Sequence, residues 1–240
     1  MKKQELLNFV NKYHLAGATT SVKWVAQSGT LQTSFITDDQ NVIGTVNTTT
    51  IDLGDNELGV YATPQLVKML SAVGDDVDVK VNDIDNTAVS IDIKDKDVKM
   101  KFMLADLSVI RQVPDLKQLP DWSTSINLSK EFIDKFVKAK NAIPESENFG
   151  VSCKDNVAEI IINYSSINTN RIKFSVKCDN EDCDDMSVVC FSSNGFKEIL
   201  QANKDAESAK LEVSEAGLAR ATFNSKTFTS IYYLVQLQAA

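Results

Sequence analysis

The sequence is poor in the residues that most often carry chemistry. Its 240 residues include one histidine, His14, two tryptophans, four prolines and nine glycines. His14 ends an amphipathic stretch with no motif around it, so no Ser/His/Asp arrangement is read there. No glycine-rich loop that cradles phosphate is present, so ATP handling is expected to belong to another protein, and no enzyme activity is expected. No run approaches the roughly 20 apolar residues of a membrane span. The opening "MKKQELLNFV" has two lysines but no apolar core or small-residue cleavage site, so a cytoplasmic rather than a secreted chain is expected.

Cysteine is sparse as well. Cys153, Cys178, Cys183 and Cys190 all lie in the second half. Without an export signal they are expected as reduced thiols. "CDNEDC" leaves four residues between Cys178 and Cys183 with no histidine nearby. It reads as buried or loop thiols, and neither metal nor cofactor is expected. The acidic runs "GDD", "DID" and "DNEDCDD" lack the glycine-bearing pattern of a calcium loop and read as polar tips between strands.

Cations are the minority charge: 25 Lys and Arg against 33 Asp and Glu, a net charge of −8 and a pI near 4.8. That balance argues against a surface that coats nucleic acid everywhere, but it permits one basic face.

What the sequence does contain is a duplication. "YATPQLVKML" (61–70) aligns with "FSSNGFKEIL" (191–200) at an offset of 130. Tyr61 matches Phe191, Leu66 matches Phe196, Met69 matches Ile199 and Leu70 matches Leu200. In both copies an aromatic closes an apolar strand and a helix begins. Thr63 with Pro64 is the expected cap of the first, Ser193 or Asn194 of the second. Upstream, "KQELLNFVNKY" (3–13) matches "KEFIDKFVKAK" (130–140), which pairs Leu6, Phe9 and Val10 with Ile133, Phe136 and Val137 on one helical stripe. Downstream, residues 88–104 match 218–234, and Val89, Ile91 and Ile93 alternate with polar residues as half-buried antiparallel strands do.

The expected fold is therefore α+β, with two similar domains of two helices on antiparallel sheet. Residues 1–108 form the first, 126–240 the second, and the proline-bearing stretch 109–125 an extended connector. With helices expected at about 2–14, 64–73, 129–142 and 194–204, those segments carry a net charge of +6 and the rest of the chain −14. Helical geometry turns Asn8, Asn11, Lys12, Lys68, Lys135 and Lys138 away from the apolar stripes. Glu198, opposite Lys68 in the repeat, is a local exception. Lysines without a base-reading motif suit phosphate backbone contact without sequence preference.

The duplicated halves, the connector and the stretches "ATPQLVKMLSAVGDD", "MSVVCFSSNGFKEIL" and "ARATFNSKTFTSIYYLVQL" resemble the two-domain DNA sliding clamps. The likeness runs over the whole chain and is nearest to the polymerase clamp of tailed phages, with PCNA more distant. The resemblance implies a head-to-tail homotrimer threaded by double-stranded DNA, tethering a replicative DNA polymerase and loaded by a clamp-loader ATPase. It assigns DNA contact to Lys3, Lys12, Lys68, Lys130, Lys135, Lys138, Lys197 and Lys204. It implies a subunit joint between residues 98–104 and residues 171–178 of the next copy. It also implies a partner pocket near Val113, Leu116, Leu119, Trp122, Tyr233, Leu234 and Leu237. The alternative is a duplicated, non-enzymatic interaction protein whose lysine helices contact protein instead of DNA.

Overall fold

A computed structural model of the chain describes residues 1–167, 169–179, 183 and 185–237. The chain divides into two compact units. The first comprises residues 1–39, 44–114 and 226–230, the second residues 40–43, 115–225 and the remainder from 231.

The first unit runs α1 (Lys3–His14), β1 (Val22–Gln27), β2 (Thr30–Ile36), β3 (Val42–Thr48), β4 (Asn56–Val60), α2 (Thr63–Leu70), β5 (Asp78–Ile84), β6 (Thr87–Lys94) and β7 (Lys99–Met103). Its strands lie in the orders β4-β1-β2-β3 and β5-β6-β7. The second unit opens with β8 (Thr124–Asn127) and repeats the plan: α3 (Lys130–Ala142), β9 (Asn148–Lys154), β10 (Val157–Ile162), β11 (Ile172–Lys177), β12 (Met186–Ser192), α4 (Ser193–Ala202), β13 (Ser208–Ser214), β14 (Leu218–Asn224) and β15 (Phe228–Val235). Its orders are β11-β10-β9-β12 and β8-β13-β14-β15. Residues 110–123 hold neither helix nor strand.

Burial explains the repeat. Phe9 and its counterpart Phe136 are both fully buried, as are Leu66 with Phe196 and Leu70 with Leu200. Around Phe9 the rings of Tyr13 and Trp24 stand edge-on, at 5.8 and 5.4 Å between centroids. Around Phe136 the rings of Phe149 and Phe196 do the same at 5.0 and 4.9 Å. Such rings add packing preference to the area they bury. α1 and α3 are thus each seated on their unit by the aromatic that the alignment matches, Phe9 and Phe136. Tyr61 departs from its counterpart: it is 46% exposed and stacks on Phe102, whereas Phe191 is buried.

Two caps differ from expectation. Thr63 is the first residue of α2 rather than its cap. It is buried, with its Oγ1 3.3 Å from the Tyr13 hydroxyl, because the helix N-terminus packs beneath α1. In α4 the cap is Ser192, whose Oγ accepts from the Gly195 N–H at 3.1 Å. Ser129 caps α3 by accepting from the Phe132 N–H. The thiols also differ from expectation: the structure joins Cys153 to Cys183, leaving Cys178 and Cys190 free and buried. Among the described residues no helix is long and apolar enough to cross a membrane.

Candidate nucleic-acid and partner surfaces

α1 packs beside α2 in one unit, and α3 beside α4 in the other. The lysines on these helices fall into two groups.

The first group is held by the protein itself. Lys12 is only 2% exposed, and its Nζ lies 5.1 Å from the centre of the Phe228 ring. The expectation that it turns outward is overturned. Phe9, Val10 and Tyr13 fix the buried stripe of α1, and the flank carrying Lys12 is covered as well. Lys3 donates to the Val73 carbonyl at 2.6 Å, and its side chain is 17% exposed. Next to it, Lys2 pairs with Asp76 at 2.6 Å. Lys140 is buried and donates to the Pro144 carbonyl at 2.7 Å. Burial, together with the charge of Lys197, lowers its pKa.

The second group faces solvent. Lys68, Lys130, Lys135, Lys138 and Lys204 are exposed, and Lys197 is half-buried. Lys135 pairs with Glu131 one turn earlier at 2.7 Å, an exposed pair of small energetic weight. Among the described residues, no carboxylate lies within ion-pair distance of Lys68, Lys130, Lys138 or Lys204. Lys130 and Lys204 line one groove of about 640 Å³ in the second unit, together with Asp134 and Glu207.

The two segments assigned to a subunit joint are both edges of their sheets: among the described residues β7 borders only β6, and β11 borders only β10. Both carry lysines, but each set has a carboxylate on the neighbouring strand. Asp92 of β6 reaches Lys99 at 3.1 Å and Lys101 at 3.9 Å. Glu159 of β10 reaches Lys173 at 2.8 Å. Asp92 is held below the usual carboxylate range, first by its hydrogen bond from Lys99. The sequence reading missed these partners. Cross-strand register sets them: Asp92 stands opposite Lys101, and Glu159 opposite Ser175, two residues from Lys173.

The expected partner-pocket residues are separated in their environments. Val113 lines a groove of about 480 Å³ with Val25, Leu107 and Ile110. Leu116 and Leu119 are exposed at 39% and 37%. Trp122 is half-buried, with the Arg220 guanidinium 4.8 Å from its ring centre, and Arg220 is itself paired with Glu212 at 2.5 Å. Tyr233 and Leu237 are half-buried, and the Leu237 N–H donates to the Cys190 carbonyl at 2.9 Å. Leu234 is fully buried and belongs to the core. The lone histidine is structural in its contacts, with Nδ1 2.6 Å from the Thr19 carbonyl.

Two similar α+β units with helices on antiparallel sheet define the PCNA-type sliding-clamp fold. Proliferating cellular nuclear antigen from Entamoeba histolytica superimposes with a TM-score of 0.74 at 15% identity, covering 99% of this chain and 96% of that one. PCNA of A. fulgidus, in the structure bearing the C-terminal region of FEN-1, gives 0.77 at 15% identity over 100% and 98%. The PCNA2–PCNA3 complex from Sulfolobus tokodaii gives 0.74 at 9% identity over 98% and 97%. No protein-family model matches the chain, and no curated protein matches it in sequence.

Proposed function

We propose that the chain is a non-enzymatic sliding clamp. Three copies close head to tail around duplex DNA and hold a replicative polymerase at the primer end, after loading by a separate ATPase. The observation that carries this reading is the set of exposed lysines without carboxylate partners among the described residues, Lys68, Lys130, Lys138 and Lys204, on or beside the helices of a chain with net charge −8.

The ring rests on the two edge strands. A β7 edge of one copy pairing with a β11 edge of the next is heterologous, and such a joint closes when its rotation divides a full turn. Lysines on both edges would oppose that pairing if they were unneutralised. Asp92 and Glu159 offset that repulsion from within each subunit.

Function follows from topology more than from affinity. A closed ring leaves DNA only by opening or by reaching an end, so weak phosphate contacts suffice and permit sliding. A tethered polymerase rebinds at a raised effective concentration. Val25, Leu107, Ile110 and Val113 form the apolar part of a groove also lined by Lys23, Glu57 and Arg111, and that part is assigned to the apolar anchor of a partner peptide. The FEN-1 tail on the A. fulgidus protein supports a peptide partner.

The test is retention on DNA after loading. The protein should stay on nicked circular duplex and be lost from the same duplex once it is linearised. A charge-reversed K68E/K138E chain should show reduced loading. Equal retention on both forms would overturn the clamp and favour the interaction-protein reading.

A further inference from the structure

The second unit gathers three of its four cysteines. The sulfurs of Cys153, Cys178 and Cys183 all lie within 4.8 Å of one another. Cys153 sits near the end of β9 and is 3% exposed. Cys178 follows β11 and is 6% exposed, and Cys183 precedes β12 and is half-buried. The Cys178 sulfur is 3.4 Å from that of Cys153. Thr124 places its Oγ1 3.1 Å from the sulfurs of both Cys178 and Cys183.

One residue, Asn156, sets the positions of both Cys178 and Cys183. Asn156 stands in the β9–β10 turn with Asp155, both at positive φ, as a two-residue hairpin requires. Its carbonyl accepts from the Cys178 N–H at 3.1 Å, and its Oδ1 accepts from the Cys183 N–H at 2.9 Å. The Asp179 N–H is in turn bonded to the Ser125 carbonyl at 2.8 Å. The backbone is therefore anchored on both sides of Cys178 and at Cys183, and the sulfurs converge without needing to be bonded. The Cα atoms of Cys153 and Cys183 stand 7.3 Å apart, outside the usual disulfide span of about 4.4–6.8 Å. Two thiolates at about 2.3 Å from a shared tetrahedral cation sit roughly 3.8 Å from each other, within the spread of this cluster.

We propose that Cys153, Cys178 and Cys183, once reduced, form a binding site for a thiophilic cation, Zn²⁺ or Cu⁺. A thiol reductant supplies two electrons and two protons to the Cys153–Cys183 bond. The three thiols then release three protons as they ligate the cation. Three thiolates satisfy a trigonal Cu⁺, or leave one tetrahedral position of Zn²⁺ to water. The Thr124 hydroxyl donates to one of the thiolates and steadies its charge. A small-molecule disulfide that takes up the two electrons and leaves as two thiols restores the Cys153–Cys183 bond by exchange, which removes two ligands and expels the cation. Cys190 lies outside the cluster, and burial pushes its thiol pKa up, so it serves as an internal control.

The experiment is anaerobic reduction of the full chain, addition of Zn²⁺ or Cu⁺ alone, desalting and elemental analysis. Wild type and C190S should each keep about one equivalent of one or other metal, and C178S should keep less than about a tenth of that. Co²⁺ in place of zinc should give a thiolate charge-transfer band that C178S lacks. Should C178S fail to fold, C183S at the half-exposed position reads the same two signals. Metal-free reduced wild type, or C178S or C183S binding as much as wild type, would overturn the site.

Discussion

The ammonium of Lys12 lies against the face of the Phe228 ring, 5.1 Å from its centre, in a position only 2% open to solvent. A buried cation over an aromatic ring is favourable partly because both are desolvated. Substitution there acts on the fold before it acts on any surface. K12E should cost about 3 kcal/mol or more, because it buries an anion against the negative face of the ring. K68E and K138E should stay within roughly 0.5 kcal/mol of wild type. Urea denaturation separates them, and a K12E midpoint equal to wild type would contradict the burial of this residue.

The edge strands make a second prediction. The Leu104 N–H bonds back to the Val89 carbonyl and the Asp95 N–H to the Val98 carbonyl. Alternation along β7 therefore turns the N–H groups of Lys99, Lys101 and Met103 away from the sheet. On β11 the Cys178 N–H points inward, so those of Lys173, Ser175 and Lys177 point outward. K101P and S175P each remove one outward donor while keeping the internal ladder. Sedimentation should show single-chain mass for either variant, with an unchanged far-UV spectrum. A trimeric K101P would place the joint elsewhere.

Acid sensitivity should concentrate at Asp95. Its carboxylate accepts the backbone N–H of Gly74, and those of Asp97 at 2.7 Å and Val98 at 2.6 Å, which holds its pKa below the usual carboxylate range. A depressed folded pKa contributes stability that is complete above the unfolded value near 4 and is lost as pH falls through the folded one. Melting temperatures of wild type and D95N should thus differ at neutral pH and converge as the medium becomes acidic. A gap that persists unchanged at pH 2 would assign the bonds no part in the titration.

Much of the fold was legible because duplication writes the same burial pattern twice. Phe9 and Phe136 are apolar and aromatic at matched positions, and both seat a helix on its sheet. The four helices were placed to within about three residues at either end. Of the lysines that helical angles turn outward, Lys68, Lys135 and Lys138 are exposed and Lys12 alone is buried. Lys12 and Lys138 look alike on a wheel, yet Phe228, far along the chain, covers the first while the second stays open.

The sequence by itself determined the duplicated α+β plan, the acid–base imbalance and the confinement of cysteine to one half. These are local periodicities and sums, fixed by which residues are apolar and which are charged. Only the tertiary structure decided which lysines remain available, which carboxylates neutralise the edge strands, and that Cys153 meets Cys178 and Cys183 in one corner of the second unit. Those outcomes depend on strand register and long-range packing, and no spacing along the chain encodes either one.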